Sequence, residues 1–497
     1  MFIPAVLERW DLRSYRRTAL WHAPLLDRVL PRLSRLADKS VLWTLIAALL
    51  NRFAGRSGRR AGLRGLFALA LASAVGNVIA LVARRTRPDI RDVPMLRRLA
   101  RLPSSPSFPS RHSASAFAFA AGATLEKPIL AAPLVPLASA VGYSRVYTGV
   151  HYPSDVIAGA AVGAGLAFLT RRFWPVPPQE PPRARPAVVE IGERPDPDGT
   201  GLTIVVNPNA GAGSTTSLTD DLRDKLPGAE IIETSDDVPI DVALEKAATS
   251  GRAIGIAGGD GSVNAAAHVA YENGMPLVVF PEGTLNHFAR DLGIETLDDA
   301  VEGVREGEAT GVDIGRIADR PFLNTASIGA YVDLVDARER LERRIGKWPA
   351  VVVALSRVLR RAEPVHVEIN GKPRRVWMAF IGNCRYHPDG FTPSWRDRLD
   401  DRTIDFRLVD ANYPFARTRL VWAVLTGTLA RFAAYECELV AGEPVHVRAL
   451  EGPFRLARDG ETFTAPAEFT IGKAEERLVL LVPKREEEVN PGAGSAR

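Results

Sequence analysis

Stretches without charge recur over the first third of the chain, separated by segments rich in arginine. Five such apolar stretches lie between residues 40 and 170, at 40–51, 65–83, 113–125, 128–144 and 156–170. Several are apolar on all sides and lack the polar stripe of a soluble surface helix. Ala, Gly and Leu dominate them, and small residues permit close helix packing inside a membrane. The pattern predicts an all-α membrane helical bundle over residues 1–173.

The lengths of these stretches leave a second interpretation open. Only residues 65–83 approach the roughly 20 residues expected of a bilayer-spanning helix, and apolar segments of about 10 to 14 residues are more often buried core. A soluble helical bundle is therefore the alternative. Because tilting or local thinning of the bilayer accommodates short spans, we favour an integral membrane domain.

A proline-rich segment follows, and the pattern then changes to α/β. Residues 175–199 contain eight prolines, so residues 174–199 are predicted to form an extended linker. Beyond it, 202–206, 253–257 and 276–280 look like buried strands that end at Gly-rich or Pro-rich turns. These strands, with a helix predicted over 217–226, indicate an α/β nucleotide-binding domain at residues 200–310.

Short alternating stretches dominate the rest of the chain. They include 366–369, 403–409, 445–448 and 469–471. Alternation with period two is typical of half-buried antiparallel strands. We predict a mainly β, antiparallel β-sandwich-like domain over residues 311–487 with one helical insertion near 334–361, followed by a disordered tail at 488–497.

Composition adds little to this division. A length of 497 residues suits two to four domains, each able to bury its own core. The net charge of +5 is spread along the chain, so no nucleic-acid partner is expected. Cys384 and Cys437 form no metal or redox spacing, which favours a reducing, cytosolic environment for their part of the chain. Residues 1–39 carry many charges and no long apolar run, which argues against a cleavable signal.

Phosphate chemistry is indicated by three short motifs within the helical domain. They are Arg87-Pro88, then Pro109-Ser110-Arg111-His112, then Ser144-Arg145 followed by His151 and Asp155. Planar guanidinium groups match the oxygens of a phosphoryl group in bidentate fashion, so Arg87, Arg145 and Arg111 are candidates for a phosphate cradle to which Ser110 adds a hydroxyl.

The two histidines of these motifs have complementary candidate roles. His151 lies four residues before Asp155, with Pro153 suited to the first turn of a helix between them. A carboxylate at that spacing holds the far imidazole nitrogen, which makes His151 a candidate nucleophile. His112 is then the candidate acid that protonates the leaving alkoxide and later activates water.

On these residues the N-terminal third resembles the type 2 phosphatidic acid phosphatase superfamily. The resemblance implies that Arg87, Ser110 and Arg145 bind phosphate, His112 is the general acid, His151 forms a phosphohistidine and Asp155 orients it. It also implies that the phosphatase reaction uses no metal or other cofactor. Two positions depart from the family pattern: Ala80 replaces a lysine and Arg111 replaces a glycine. Arg84 is the expected substitute for that lysine, one helical turn beyond Ala80.

A second set of motifs lies in the α/β domain. Asn207-Pro208 opens a glycine-rich turn, Gly258-Gly259-Asp260-Gly261-Ser262 follows a buried strand, and a third segment runs from Pro281 to Gly293. A strand that ends in such a turn before a helix offers backbone amides to phosphate. Together the three segments resemble the diacylglycerol kinase catalytic family, including bacterial lipid kinases and sphingosine kinases, over roughly residues 202–485.

This second resemblance implies an ATP site with Mg²⁺ bridging the phosphates. The implied ATP-binding residues are Asn207, Gly211, Gly259, Asp260, Gly261, Ser262 and Thr284. The resemblance also implies that Asp459 is the base that accepts a proton from the lipid hydroxyl. The stretch Leu399 to Asp405 is similar to the family's acidic segment near a structural metal, so Asp260 and Asp401 are the candidate metal ligands.

Topology and function follow from the two sets together. An even number of apolar segments separates the phosphatase motifs, and a single one, 156–170, separates Asp155 from the linker. We therefore expect a multi-pass protein of the cell membrane with a cytoplasmic, ATP-using kinase and a phosphatase site on the opposite face. Arginines at 52–64 and 171–172 agree with the positive-inside rule.

The expected function is that of a bifunctional enzyme acting on membrane lipids. One domain hydrolyses a lipid phosphate or a polyprenyl (di)phosphate, and the other phosphorylates a lipid alcohol. One alternative is a lipid kinase whose N-terminal bundle is a catalytically weak anchor or lipid-presenting module, which Ala80 favours and the intact histidines oppose. Another is a soluble NAD or sugar kinase, which the apolar domain opposes and cell fractionation tests.

Overall fold

The chain divides into two compact units, Met1–Val176 and Pro177–Arg497. The computed structural model describes residues 5–21, 23–99, 105–172, 174–178, 180–187, 194–208, 215–282, 286–329, 332, 363–389, 393–413, 415 and 435–484. The predicted helical insertion near 334–361 and the predicted tail at 488–497 lie outside these residues.

The first unit is helical, as the apolar stretches predict. Each stretch falls on one helix, and two further helices precede them. The helices are α1 (Ala5–Leu20), α2 (Pro24–Leu36), α3 (Val41–Phe53), α4 (Gly55–Ala83), α5 (Arg111–Glu126), α6 (Ala131–Tyr147) and α7 (Pro153–Leu169). Helix α4 starts ten residues earlier than the apolar stretch 65–83 because its first turns are arginine-rich rather than apolar.

Helices α4 to α7 run up and down, so that alternate helix ends meet. At one end Ser110, which caps α5, donates its backbone N–H to the carbonyl of Asp155 in the first turn of α7 (2.9 Å). At the other end the buried Arg64 of α4 binds Glu126 at the end of α5 (2.7 Å) and Thr170 just after α7 (3.1 Å). Helix α7 therefore leads away from the end that carries the phosphatase motifs.

Close packing of these helices depends on small residues. A Cβ atom at Gly159 of α7 would lie 2.4 Å from the carbonyl oxygen of Ser110, and one at Gly163 would lie 2.1 Å from that of Ala114. Such distances are possible only for glycine, so α5 and α7 touch backbone to backbone. A larger pair, Trp43 and Phe119, fills the core beside them with ring centroids 5.2 Å apart.

Three helices among the described residues are long and apolar enough to cross a membrane: Ser57–Ala83, Pro128–Tyr147 and Pro153–Arg172. Helix α3 is apolar but shorter. Large apolar side chains also lie exposed on this unit, including Val78, Leu81 and Val82 at 62, 72 and 80%. Lipid would cover such a surface, so the first unit has the features of a membrane domain.

The second unit begins with a seven-stranded, mostly parallel sheet flanked by helices. Its strands are β1 (Arg185–Pro186), β2 (Leu202–Val206), β3 (Glu230–Glu233), β4 (Ala253–Gly258), β5 (Leu277–Pro281), β6 (Glu308–Val312) and β20 (Leu478–Val482), in the spatial order β1-β6-β20-β5-β4-β2-β3. Its helices are α8 (Thr215–Lys225), α9 (Ile240–Ser250), α10 (Asp260–Glu272), α11 (His287–Asp291) and α12 (Leu297–Arg305).

Two strands of this sheet come from outside residues 200–310. Strand β20 returns from the end of the chain to lie between β5 and β6, and the short β1, from the proline-rich segment, pairs with β6. Arg194 of the same segment donates to the carbonyl of Gly307 (2.7 Å). The two domains of the kinase part are therefore not consecutive in the chain, and part of the linker is bound to the α/β domain.

The remaining strands form an antiparallel sheet domain, as predicted. They are β7 (Gly315–Ile317), β8 (Arg320–Phe322), β9 (Thr325–Gly329), β10 (Val365–Ile369), β11 (Lys372–Asn383), β14 (Thr403–Asp410), β15 (Tyr435–Ala441), β16 (Val445–Ala449), β17 (Arg455–Arg458), β18 (Glu461–Thr464) and β19 (Glu468–Lys473). Strand β11 is the branch point, since it pairs with β9, β10 and β14. A two-stranded ribbon, β12 (Tyr386–His387) and β13 (Trp395–Arg396), completes the domain.

The contact between α5 and α7 gives a direct test of the helical unit. Gly163→Ala puts a methyl group 2.1 Å from the Ala114 carbonyl, so the helices must separate. We expect a loss of about 1–3 kcal/mol in the free energy of unfolding, measured by denaturant titration in detergent. Gly165→Ala on the same helix is the matched control, because nothing lies within 4 Å of its added Cβ. Equal losses for the two variants would contradict the packing.

Candidate active sites

The three phosphatase motifs meet at one end of the helical bundle. Arg87 follows the end of α4, Ser110 and His112 lie at the start of α5, Arg145 lies in the last turn of α6, and His151 precedes α7. The turn between α6 and α7 is closed by the Arg145 carbonyl, which accepts from the backbone N–H groups of Val150 (3.1 Å) and His151 (3.2 Å). This turn fixes His151 beside the arginine of its own motif.

His151 is buried between a cation and a carboxylate. Its Nε2 lies 3.2 Å from Nη1 of Arg87, and its Nδ1 lies 3.6 Å from the Asp155 carboxylate, just beyond hydrogen-bond distance. Since a guanidinium only donates, Nε2 carries the lone pair and the proton is assigned to Nδ1. Burial lowers the pKa of His151 to about 4, and the charges of Arg145 and Arg87 add to this effect. The imidazole is therefore neutral and nucleophilic near pH 7.

Asp155 is held by a donor on each of its two carboxylate oxygens. One oxygen accepts from the backbone N–H of Tyr152 (2.9 Å), which forms a capping box at the start of α7. The other accepts from Nη1 of Arg85 (2.6 Å). The sequence motifs do not single out Arg85, although Arg84-Arg85 directly precedes the Thr86-Arg87 pair. Nothing in the sequence distinguishes two neighbouring arginines; the turn after α4 decides which one points inward.

Arg84 does not join this cluster, contrary to its expected role as substitute for the family lysine. It ends α4 with a φ of +48°, and its exposed side chain lies 3.4 Å from the Leu81 carbonyl of its own helix. Ala80 is buried. The structure therefore brings no basic side chain from residues 80–84 into the site.

The other predicted phosphate ligands do converge. Arg87 and Arg111 both donate to the hydroxyl of Ser105, at 3.2 and 2.8 Å, which holds two guanidiniums around one oxygen. Arg145 is 1% exposed and donates to Ser34 (2.5 Å), while its Nε has no hydrogen-bond partner among the described residues. Burial and the charge of Arg111 lower the pKa of Arg87. Three neighbouring guanidinium groups repel one another, and a phosphate dianion bound between them would neutralise this repulsion.

His112 forms an ion pair that the sequence did not indicate. Its Nε2 lies 2.7 Å from Asp38, a residue in the short turn before α3. The His112 side chain is 24% exposed, far more than that of His151. Burial lowers the pKa of His112, and the Asp38 carboxylate opposes this fall. A carboxylate that helps to retain the imidazole proton suits a general acid.

The second cluster lies where β2 and β4 end. The Asn207 side chain, directly after β2, donates to the hydroxyl of Ser262 (2.9 Å) in the first turn of α10. A Cβ at Gly258 would lie 2.7 Å from that of Ser262, so glycine is needed for this approach. Gly259 caps α10, and nothing lies within 4 Å of a Cβ added at Gly261. The open helix start suits a phosphate group.

Asp260 joins this turn to the segment that follows β5. Its carboxylate accepts from the backbone N–H of His287 (2.8 Å), the first residue of α11. Asp260 is thus adjacent to the helix start and is a suitable oxygen ligand for Mg²⁺. Gly211 and Thr284, which are also predicted ATP ligands, lie outside the described residues.

Asp459, the predicted base, lies in the turn between β17 and β18 with a φ of +42°. Its carboxylate accepts from the backbone N–H groups of Leu323 (2.7 Å), Asn324 (2.9 Å) and Thr325 (2.9 Å). Burial raises the pKa of Asp459, and these three amides oppose the rise. A carboxyl group with a raised pKa is better suited to accept a proton at neutral pH.

A buried arginine connects the two kinase domains beside this carboxylate. Arg396 binds Asp291 at the end of α11 and also donates to the Leu323 carbonyl (2.8 Å) and the Asn324 side chain (3.1 Å). Helix α11 starts at His287, whose backbone N–H donates to Asp260. Arg396 therefore links the turn that contains Asp260 to the loop that holds Asp459. Arg396 is not predictable from the sequence, because a single arginine between short strands carries no recognisable pattern.

Asp401, the other predicted metal ligand, lies in a different environment. It forms a cluster with Asp313 and Cys384 in which the potential ligand atoms are within 4.8 Å of one another. However, Asp401 already accepts from the N–H groups of Arg385 (2.9 Å) and Thr403 (2.8 Å). Lys473 lies 3.3 Å from the Cys384 sulfur and 3.5 Å from Asp313. A thiol and an ammonium group do not fit Mg²⁺, so these surroundings do not favour Mg²⁺ at Asp401, whose role as a metal ligand stays a prediction.

Comparisons with known proteins agree with both clusters. The family model for the PAP2 superfamily matches residues 61–177, and the model for the diacylglycerol kinase catalytic domain matches residues 201–317. The predicted fusion of these two kinds of domain is thereby confirmed. The phosphatase cluster is also contacted by Asp11, Ser34 and Asp38. These three residues precede residue 61 and so lie outside the first match.

Individual relatives each match one of the two parts of the chain. This chain is 31% identical over 147 residues to a lipid A 1-phosphatase of Rhizobium johnstonii. The match covers 26% of this chain and 60% of that protein. A decaprenylphosphoryl-5-phosphoribose phosphatase of Mycobacterium tuberculosis is 38% identical over 138 residues, and the match covers 28% of this chain and 74% of that protein. A diacylglycerol kinase of the same species is 26% identical over 246 residues, and the match covers 47% of this chain and 77% of that protein.

The protonation state of His151 is measurable. Because its pKa is lowered to about 4, we expect the imidazole to stay neutral down to about pH 5, whereas an unperturbed histidine is half protonated near pH 6.5. NMR titration of protein labelled with ¹³C at histidine checks this, with the His151→Ala spectrum providing the assignment. Protonation of His151 with a midpoint at or above pH 6.5 would contradict the buried geometry.

Proposed function

We propose that this chain, which belongs to the PAP2 superfamily and carries a diacylglycerol kinase catalytic domain after its phosphatase-family domain, is a bifunctional lipid-phosphate enzyme. The first unit removes a phosphoryl group from a lipid phosphate, and the second transfers one from ATP to a lipid alcohol. The observation that carries the proposal is the position of the buried His151 between Arg87 and Asp155.

In the phosphatase reaction the lone pair on Nε2 of His151 attacks phosphorus. The bond from phosphorus to the lipid oxygen breaks, and His112 donates a proton to the departing alkoxide. Arg87, Arg145 and Arg111 bind the phosphoryl oxygens, whose charge is largest when the phosphoryl group is in transfer. Asp155 stabilises the positive imidazole ring that forms.

The phosphohistidine is then hydrolysed by water. His112, now neutral, accepts a proton from the attacking water as the P–N bond breaks, which releases inorganic phosphate and restores both histidines. The Asp38 carboxylate supports this exchange because it opposes the fall in the pKa of His112 that burial causes. These steps use only side chains of the chain and water.

In the kinase reaction the start of α10 and the Asn207–Ser262 pair support binding of the ATP phosphates. Asp260 would hold a Mg²⁺ ion, which supplies charge neutralisation at the β- and γ-phosphates when bound. Asp459 accepts the proton of the lipid hydroxyl as that oxygen attacks the γ-phosphorus, the bond from the γ-phosphorus to the β,γ-bridging oxygen breaks, and ADP leaves. Arg396 keeps the loop at 323–325, and with it Asp459, aligned with α11.

A second candidate is a lipid kinase whose helical unit only anchors the protein or presents lipid. The observation that favours it is Ala80, whose buried methyl group offers no charge where the family has a lysine. The three arginines and the His151–Asp155 pair favour the bifunctional enzyme instead. Loss of phosphatase activity in a His151 variant separates the two.

We further propose that the two sites face opposite sides of the cell membrane. The phosphatase cluster lies at the start of α7, whereas Thr170, just after α7, binds Arg64 at the far end of the bundle. A helix of 17 residues is about 25 Å long, close to the thickness of a bilayer core. If α7 spans the membrane, the kinase unit emerges on the opposite, cytoplasmic side, where ATP is present.

Independent loss of the two activities tests the proposed function. His151→Ala is expected to reduce phosphate release from phosphatidate or polyprenyl phosphate micelles by at least about 10³-fold, because it removes the nucleophile. It should leave the transfer of ³²P from ATP to diacylglycerol unchanged. Asp260→Asn is expected to reduce that transfer about 10²-fold and to leave phosphate release intact. Phosphatase activity that survives His151→Ala would leave only the kinase.

Cysteine labelling tests the sidedness. Cys437 is an exposed native thiol of the kinase unit, and Arg91, 90% exposed in the loop after α4, is a suitable position for a new one. We expect a membrane-impermeant maleimide to label Arg91→Cys, made in a Cys437→Ser background, in intact cells. The native Cys437 should react only after lysis. Labelling of both thiols in intact cells, or of neither until lysis, would refute the opposed arrangement.

A further inference from the structure

The first helix contributes a carboxylate to the interior of the phosphatase unit. Asp11 of α1 is fully buried, although α1 precedes the segment that matches the PAP2 superfamily model. Its Oδ1 accepts from the backbone N–H of Ser154 (2.9 Å), and its Oδ2 accepts from the Ser154 hydroxyl (2.5 Å) and from Arg85 Nη2 (2.7 Å). A buried charge is costly unless it is paired, so this aspartate requires Arg85.

Arg85 joins Asp11 to the carboxylate that faces His151. Its Nη1 donates to Asp155 Oδ1 (2.6 Å) and to the Ser154 hydroxyl (2.8 Å), while its Nη2 binds Asp11. The Arg85 side chain is 8% exposed, and both carboxylates are completely buried. Its guanidinium also stacks on the ring of Tyr152, 4.3 Å from the ring centroid. Every hydrogen bond described for Arg85 is therefore directed away from the phosphate cradle.

We propose that Arg85 is a positioning residue for the phosphatase reaction, held in place by Asp11 of the first helix. This inference rests on the proposed phosphohistidine function. Arg85 fixes one oxygen of Asp155, and the N–H of Tyr152 fixes the other, so the carboxylate cannot rotate away from His151 Nδ1. The active site is then incomplete without α1, a helix outside the matched family segment.

The physical reason is the shape of the Asp155 site. The distance between Asp155 and His151 Nδ1 is 3.6 Å, and we expect it to shorten when the imidazole becomes positive during attack on phosphorus. If Asp155 loses Arg85, its carboxylate turns about its side-chain bond and the gap widens. A misplacement of about 1 Å at a reacting group costs roughly 10²-fold in rate. Binding of phosphate by Arg87 and Arg145 is not altered by such a rotation.

The experiment compares kcat and KM for phosphate release from phosphatidate micelles, using the full-length protein in detergent. Arg85→Met is expected to lower kcat about 10²-fold and to change KM less than about threefold. Arg85→Lys, which keeps the charge, is expected to recover part of this loss. Asp11→Asn leaves Arg85 paired with Asp155 and no carboxylate unpaired, so it should fold even where Arg85→Met does not, and it is expected to lower kcat about tenfold.

A double substitution distinguishes positioning from general stability. If Arg85 acts through Asp155, adding Arg85→Met to Asp155→Asn costs no further activity, because the group that it positions is already lost. A purely structural role would lower activity again by the full single-variant factor. Arg91→Met is the matched control: it removes an arginine of the same loop that is 90% exposed, and we expect wild-type kcat.

The outcomes separate this inference from the function on which it rests. If the wild-type protein releases no phosphate, or if His151→Ala keeps full activity, the proposed phosphatase function fails. If His151→Ala is inactive while Asp11→Asn and Arg85→Lys both retain wild-type kcat and the double substitution is additive, only the positioning role of Arg85 is overturned. ATP-dependent phosphorylation of diacylglycerol by the same samples confirms that each variant contains intact kinase.

Discussion

The phosphatase unit depends on one carboxylate at which several segments of the chain meet. Asp155 accepts from Arg85, which follows α4, and from Tyr152, which precedes α7, while its backbone carbonyl accepts from Ser110 at the start of α5. A buried carboxylate without these donors would be strongly unfavourable. The same contacts that allow Asp155 to be buried therefore bring the three motifs together, and stability and site geometry have a common origin.

The kinase unit uses a comparable solution in a different fold. Arg396 is buried between Asp291 and the loop at 323–325, and the loop's backbone amides in turn hold Asp459. In both units a buried arginine joins an aspartate from one element to the support of a second, functional aspartate. Removing one partner of such a pair typically costs about 3–5 kcal/mol, because a charge is left unpaired inside the protein. Because of this cost, elements that are distant in sequence keep fixed positions at each site.

Much of this organisation was predictable from sequence because it rests on local patterns. Charge-free stretches identified α3 to α7, and buried strands before glycine turns identified β2 and β4. The contacts of Asp11, Ser34 and Asp38 with the phosphatase cluster were not predictable, since residues 1–39 show only charge and short apolar runs. The return of β20 to the first sheet also has no sequence signal, because an apolar run of five residues suits either sheet.

Two residues show how side-chain direction escapes a one-dimensional pattern. Arg84 and Arg85 are adjacent and chemically identical, yet the left-handed backbone at Arg84 turns one outward and the other inward. Asp401 lies in an acidic stretch suited to a metal. Its neighbours in space, Cys384 and Lys473, come from other parts of the chain and bring a thiol and an ammonium group to the cluster.

The central claim is that a histidine of the membrane unit carries the phosphoryl group, and trapping that intermediate tests it most directly. Full-length protein is mixed with ³²P-labelled phosphatidate, without ATP so that the kinase contributes no label, and the reaction is quenched in alkali within one turnover. We predict a label that is stable in alkali, released by acid and located on the peptide that contains His151. An acid-stable label, or a label on another residue, would contradict the account.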